Sequence, residues 1–188
     1  MVVLVTGGAR SGKSSFAEKY AAKKGTYGVY LATAQALDDG MRRRIEKHRS
    51  RREDAGFLWE TMEEPVELAG RLESMAANPA PILLIDCLTL WLTNVLLEGD
   101  CEDGEKAEER ALARVGELER ALLAYPGKVI LVTNEVGDGI VPEYPLGRLY
   151  RDLAGVLNQR IAAISDEVFL VTAGIPVELK KLAYRWTE

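Results

Sequence analysis

The chain is poor in the residues that build several common kinds of site. Its two cysteines, Cys87 and Cys101, lack C-x-x-C spacing, so they supply neither a disulfide framework nor a thiolate metal site and read as free thiols. There is one histidine, His48, which rules out histidine clusters. No stretch approaches the roughly 18 consecutive apolar residues of a membrane span. The N-terminus starts on an apolar run with no charged leader or small-residue cleavage site, so no secretion signal is expected. Positive charge is not in excess either: 24 Lys and Arg against 29 Asp and Glu leave a net charge of −5, unlike the basic footprint of a nucleic-acid binder. Internal repeats and low-complexity tracts are missing. What remains is a 188-residue chain, 47% hydrophobic and 28% charged, of a size for one domain spanning 1–188. The expectation is a cytoplasmic protein with no nucleic-acid partner and no membrane span.

What the chain does have is alternation. Short apolar runs rich in Val, Ile and Leu occur at residues 1–6, 28–33, 82–86, 128–134 and 167–172, each bounded by Gly, Pro or polar residues. Runs of that length and continuity are strands buried on both faces, as a parallel sheet requires. Between them, Ala111, Val115, Leu118 and Leu122 recur at helical spacing, and residues 14–24, 65–77 and 146–164 also read as helices. A repeated β-α order predicts an α/β fold, three layers with a mostly parallel central sheet flanked by helices. Residues 98–109 carry seven acidic side chains and one Lys, and read as a solvated loop leading into a helix.

The clearest motif is Gly7-Gly8-Ala9-Arg10-Ser11-Gly12-Lys13-Ser14, a G-x-x-x-x-G-K-S pattern lying directly after a strand and before a helix, which makes the expected three-layer fold one of P-loop NTPase type. Glycines let the backbone curl so that its N–H groups point at phosphate oxygens, and the helix that follows adds its positive end. Lys13 supplies a point charge to the β- and γ-phosphates, and the Ser14 hydroxyl can ligate Mg²⁺. Asp86 closes the run Ile82-Leu83-Leu84-Ile85. An acid at a strand's carboxyl end can hold the same ion through water, or it can simply cap the next helix.

Residues 41–54, MRRRIEKHRSRRED, form a basic segment in an acidic protein. On a helix, Met41, Ile45 and His48 share one stripe, with Arg52 continuing it and Arg44 alongside. Composition alone fits a solvated charged face. Chemistry allows more: a neutral imidazole can attack phosphorus while neighbouring arginines neutralise the charge that develops. Farther on, Asn134-Glu135-Val136-Gly137-Asp138-Gly139 follows a strand with glycines that permit a loop close to a ligand. That block suits substrate or subunit contact, or only a tight strand-to-helix connection.

Taken in order, these blocks resemble the bifunctional adenosylcobinamide kinase/adenosylcobinamide-phosphate guanylyltransferases of cobalamin biosynthesis. The resemblance runs through residues 4–14, Tyr30-Leu-Ala-Thr33, Asp38-Asp39, Met41-x-x-Arg44-Ile45-x-x-His48, residues 133–142, Arg151-Asp-Leu-Ala-Gly155 and Asn158-Gln-Arg160. It implies phosphorylation of adenosylcobinamide by a nucleoside triphosphate, with GTP or ATP as donor. Transfer of GMP from GTP to adenosylcobinamide phosphate then follows through a guanylylated histidine, which maps to His48. It also implies GTP contacts at Gly7, Gly8, Ala9, Arg10, Ser11, Gly12, Lys13, Ser14, Ala32, Thr33, Ala34, Arg49, Ser50, Arg51, Arg52, Glu63 and Asp86. Lys13 and His48 would be catalytic, Ser14 and Asp86 would serve Mg²⁺, and the assembly would be a homo-oligomer, with a homotrimer suggested. Two rivals are a P-loop small-molecule kinase that does not use His48 and, in a different class, a GTPase switch or ATP-driven binding module. Against the switch, the chain has no N-K-x-D guanine-reading motif.

Overall fold

The computed structural model describes residues 1–35, 39, 42–43, 56–98 and 103–184. Within them, strands β1 (Val2–Thr6), β2 (Tyr27–Ala32), β3 (Leu58–Glu63), β4 (Ile82–Asp86), β5 (Lys128–Val132), β6 (Glu167–Thr172) and β7 (Ile175–Glu178) form one sheet. Its order is β3-β2-β4-β5-β1-β6-β7. Every neighbouring pair is parallel except β6–β7, a hairpin. The helices are α1 (Lys13–Lys24), α2 (Leu68–Met75), α3 (Leu88–Leu97), α4 (Gly104–Ala124), α5 (Pro145–Ile164) and the short α6 (Leu179–Leu182). This is the α/β, mostly parallel architecture that the sequence predicts.

The central strands are apolar throughout because both faces are covered. Val2 and Leu4 of β1, Leu83 and Ile85 of β4, and Val129 and Leu131 of β5 pack with α2, α3, α4 and α5. The alternate residues Val3, Val5, Ile82, Leu84, Ile130 and Val132 meet Ala17 and Ala21 of α1 on the other face. Alternation of side chains along each strand sends successive residues to opposite layers. On the α1 face, Phe16, Tyr20 and Phe169 form a ring cluster with centroids 4.9–5.9 Å apart.

Several elements depart from the sequence expectation. Strand β3 is an edge strand and mostly exposed, so it carries no continuous apolar run. Helix α3 buries Leu88, Thr89, Trp91, Leu92, Val95 and Leu96, and with so much of its surface apolar no single stripe marks it. The β6–β7 turn places Ala173 at φ 52° and Gly174 at φ 81°, the two positive values of a two-residue hairpin turn whose twist suits the strands. The acidic stretch also differs. Helix α4 starts at Gly104 with the Asp103 side chain accepting from Lys106 N–H, so the second half of that stretch is helix rather than loop. Helix α2 is shorter than predicted, beginning at Leu68 because the Glu64 carboxylate accepts the Val66 and Glu67 N–H groups in the turn before it.

Candidate active site

The glycine-rich loop is shaped by backbone contacts on both sides of β1. Gly7 has φ 153°, and a Cβ there would stand 2.4 Å from Val171 O. Gly12 has φ 98°, with a would-be Cβ 3.2 Å from Gly174 Cα in the β6–β7 turn. That turn braces the loop directly, since Gly174 N–H donates to Ser11 O at 2.8 Å. From the other side, Glu135 N–H donates to Gly7 O at 3.1 Å. Inside the loop Ser11 N–H reaches Gly8 O at 3.3 Å, and the Lys13 ammonium donates to Gly8 O at 3.1 Å. Lys13 is 8% exposed. No side chain caps α1, so the N–H groups of its first turn keep their capacity for an anion.

The predicted residues on the other strands lie along the same edge. Register runs Glu63–Ala32–Asp86–Val132–Val5 across β3, β2, β4, β5 and β1. Glu63, Ala32 and Asp86 are thus neighbours in one row, and Thr33 and Ala34 follow Ala32 at the carboxyl end. Asp86 is separated from β1 by β5, about 10 Å across two strand spacings. Its Oδ2 accepts the Tyr30 hydroxyl at 2.9 Å. The cap of α3 is Cys87, with no side-chain cap bond, so Asp86 is not the helix cap that its position allowed.

Beside Asp86 lies a set of side-chain hydrogen bonds that sequence patterns did not single out. The Thr33 hydroxyl donates to Cys87 O and accepts from Cys87 N–H, both at 2.8 Å. Cys87 Sγ lies 3.2 Å from Thr89 Oγ1, which accepts from Asn134 Nδ2 at 2.7 Å. Asn158 Nδ2 donates to Asn134 O at 3.0 Å, and the Thr133 hydroxyl donates to Asn158 Oδ1 at 2.7 Å. From α3, Asn94 Nδ2 donates to Thr33 O and Pro65 O, each at 2.9 Å. Burial, and secondarily the Asp86 charge, push the Cys87 thiol up from its ordinary value. A thiol raised in this way is a poorer nucleophile than a free one. The sequence signals that touch this lattice are the Tyr30–Thr33 block, with its implied nucleotide contact at Thr33, residues 133–142 and the Asn158-Gln-Arg160 block; Thr89 and Asn94 carry none.

His48, Arg49, Ser50, Arg51 and Arg52 lie outside the described residues, as do Met41, Arg44 and Ile45 of the proposed stripe. Of that segment, Arg42 and Arg43 are exposed, and Arg42 pairs with Asp39 at 2.8 Å. Among the described residues no group of three or more His, Cys, Asp or Glu could hold a metal ion. None of their helices is long and apolar enough to cross a membrane.

A model of the family described as cobinamide kinase / cobinamide phosphate guanyltransferase matches residues 3–179. The chain belongs to this family. It is 49% identical over 179 residues to the bifunctional adenosylcobalamin biosynthesis protein CobP of Pseudomonas aeruginosa, covering 94% of this chain and 96% of that one. It is 45% identical over 186 residues to the CobU protein of the same description from Escherichia coli, covering 96% and 100%. The corresponding CobU of Salmonella typhimurium is 43% identical over 186 residues, with the same coverage. Membership makes the chain a bifunctional transferase of adenosylcobalamin biosynthesis, with nucleotide use as part of its chemistry.

Proposed function

We propose that this chain phosphorylates the aminopropanol hydroxyl of adenosylcobinamide and then converts the product to adenosylcobinamide-GDP, using one triphosphate cradle. The carrying observation is the loop of residues 7–14, with Lys13 donating into it and the open first turn of α1 behind it. In the first reaction the hydroxyl oxygen bonds to the γ-phosphorus of ATP or GTP, and the nucleoside diphosphate leaves. In the second, one His48 ring nitrogen bonds to the α-phosphorus of GTP and pyrophosphate leaves. A phosphate oxygen of adenosylcobinamide phosphate then takes that phosphorus, the P–N bond breaks, and His48 is restored. Arg49, Arg51 and Arg52 would neutralise the charge that gathers during transfer. Support for His48 is the resemblance carried by Met41-x-x-Arg44-Ile45-x-x-His48 and its being the only histidine in the chain.

The nucleotide would contact residues 7–14, Ala32, Thr33, Ala34, residues 49–52, Glu63 and Asp86. Mg²⁺ would be held by the Ser14 hydroxyl directly and Asp86 through water. Hard oxygen donors, few in number, fit an ion that keeps waters and takes its remaining ligands from phosphate. Bound there, the ion supplies neutralisation of phosphate charge. The homo-oligomer, a trimer by resemblance, is part of the same reading.

The test is covalent labelling. With α-labelled GTP the protein should carry GMP that is released by acid and resists base, because protonating the bridging nitrogen makes it a leaving group. His48→Asn should abolish the label and guanylyl transfer while the protein still binds triphosphate. Label that survives in His48→Asn, or that resists acid, would mean another nucleophile or direct transfer.

A further inference from the structure

The kinase step needs a group to take the proton from the attacking hydroxyl, and no assigned residue does so. We propose that the Glu135 carboxylate is that acceptor; the proposal rests on the kinase reading above. The sheet order carries it. Strand β5 is the direct neighbour of β1, and their pairing continues beyond both strands: Thr133 N–H reaches Val5 O at 2.9 Å and Glu135 N–H reaches Gly7 O at 3.1 Å. Glu135 is thereby hydrogen-bonded to the first residue of the phosphate loop. Among the described residues, the other carboxylates at the carboxyl ends of strands stand farther off. Asp86 is one strand beyond β5 and takes the Tyr30 hydroxyl. Glu63 ends β3 and Glu64 follows it, three strands from β5, and Glu64 is paired with Arg71 at 3.2 Å.

The loop around Glu135 is fixed rather than free. Its Oε1 accepts Gly137 N–H at 2.9 Å, and a Cβ at Gly137 would meet that same oxygen at 2.9 Å. The Arg151 guanidinium in turn donates to Gly137 O. Oε2 takes no hydrogen bond among the described residues. A carboxylate beside a triphosphate is electrostatically unfavourable unless a proton or cation stands between them. A hydroxyl attacking the γ-phosphorus supplies that proton. As oxygen bonds to phosphorus and the diphosphate leaves, the proton passes to Oε2 and from there to water, so the step balances without another reactant. This is the role a positioned carboxylate plays in phosphoryl transfer to hydroxyls generally.

Glu135→Gln tests this because the amide oxygen can still accept Gly137 N–H while the base is lost. Expected is a fall in kinase kcat on the order of 10²- to 10³-fold, with the nucleotide KM within about threefold of wild type. Guanylyl transfer to preformed adenosylcobinamide phosphate should stay within about threefold, since that acceptor is already an anion. Glu135→Asp, which keeps a carboxylate, should recover part of the lost kcat. Glu143→Gln, exposed just before α5 and outside the Asn134–Gly139 block, should leave both rates unchanged. Near-normal kinase kcat in Glu135→Gln overturns the proposal. So does a parallel fall of both activities, which would reduce Glu135 to a brace for the loop, no gain from Glu135→Asp, or an equal kinase loss in Glu143→Gln. A wild-type protein that fails to phosphorylate adenosylcobinamide overturns the parent reading, and this one with it.

Discussion

The two halves of the sheet's carboxyl edge are made of different material. At β1, β6 and β7 the site is backbone: Gly7 against Val171 O, Gly12 against Gly174, and main-chain bonds from Gly174 to Ser11 and from Glu135 to Gly7. At β2, β4 and β5 it is side chain: Thr33, Cys87, Thr89, Asn134 and Asn158 in a hydrogen-bonded lattice, with Tyr30 on Asp86. A backbone cradle tolerates few residues at its tight points, whereas a side-chain lattice can lose one bond and keep the rest. The first half should therefore fail abruptly on substitution and the second by degrees.

Gly7→Ala should have the largest effect. The new Cβ would stand 2.4 Å from Val171 O and 2.7 Å from Ser11 Oγ, and the first is a main-chain atom that cannot swing away. Added to the φ of 153°, this should cost on the order of 3 kcal/mol of stability. Triphosphate binding should weaken at least about 100-fold, since the N–H groups no longer converge. Urea unfolding and nucleotide titration measure the two effects. Gly8→Ala is the control, because a Cβ there meets nothing within 4 Å. If Gly7→Ala binds nucleotide like Gly8→Ala, backbone closure is not what forms the cradle.

This contrast also explains what was legible beforehand. The cradle announces itself because its geometry forces glycine at fixed spacing, and continuous apolar runs mark β1, β2, β4 and β5 because both their faces are covered. Edge strand β3 was missed since Leu58-Trp-Glu-Thr-Met-Glu63 is mostly exposed and lacks such a run. Strand β7 was missed for a similar reason: four residues with Pro176 among them do not look like a strand, although Pro suits an edge. The apolar run at 128–134 extends two residues past β5, and the ladder to β1 does continue through Thr133 and Glu135. The side-chain lattice was hidden because Thr, Asn and Cys carry no periodic signal, and their meeting depends on strand order. His48 and its arginines were singled out by sequence, but they fall outside the described residues.

Asn134→Ala probes the lattice at an intermediate level. It removes the 2.7 Å bond to Thr89 Oγ1 but leaves the Asn134 carbonyl to Asn158 and the Thr89 hydroxyl beside Cys87 Sγ. The expected loss is about 1–2 kcal/mol in denaturant unfolding, with triphosphate affinity changed less than about threefold. Affinity falling as far as in Gly7→Ala would erase the distinction between the two halves.

Tyr30→Phe should give the smallest effect, and it reports on Asp86. The ring would remain in its buried place, 5% exposed and edge-on to Trp59 with centroids 5.9 Å apart, so packing is preserved. What is lost is the hydroxyl that donates to Asp86 Oδ2 at 2.9 Å. A bond of that kind contributes about 1 kcal/mol, and if Asp86 holds Mg²⁺ through water the same amount is a factor of about five in the ion's affinity. The reason is orientation: the hydroxyl fixes the plane of the carboxylate, and a freely rotating Asp86 presents its other oxygen correctly for less of the time. Titrating Mg²⁺ at fixed triphosphate should then move the half-saturation point upward in Tyr30→Phe and farther in Asp86→Asn. A shift in neither variant, with the stability loss still present in Tyr30→Phe, would make the Tyr30–Asp86 pair a strut of the sheet edge and leave the ion to Ser14 and the phosphates.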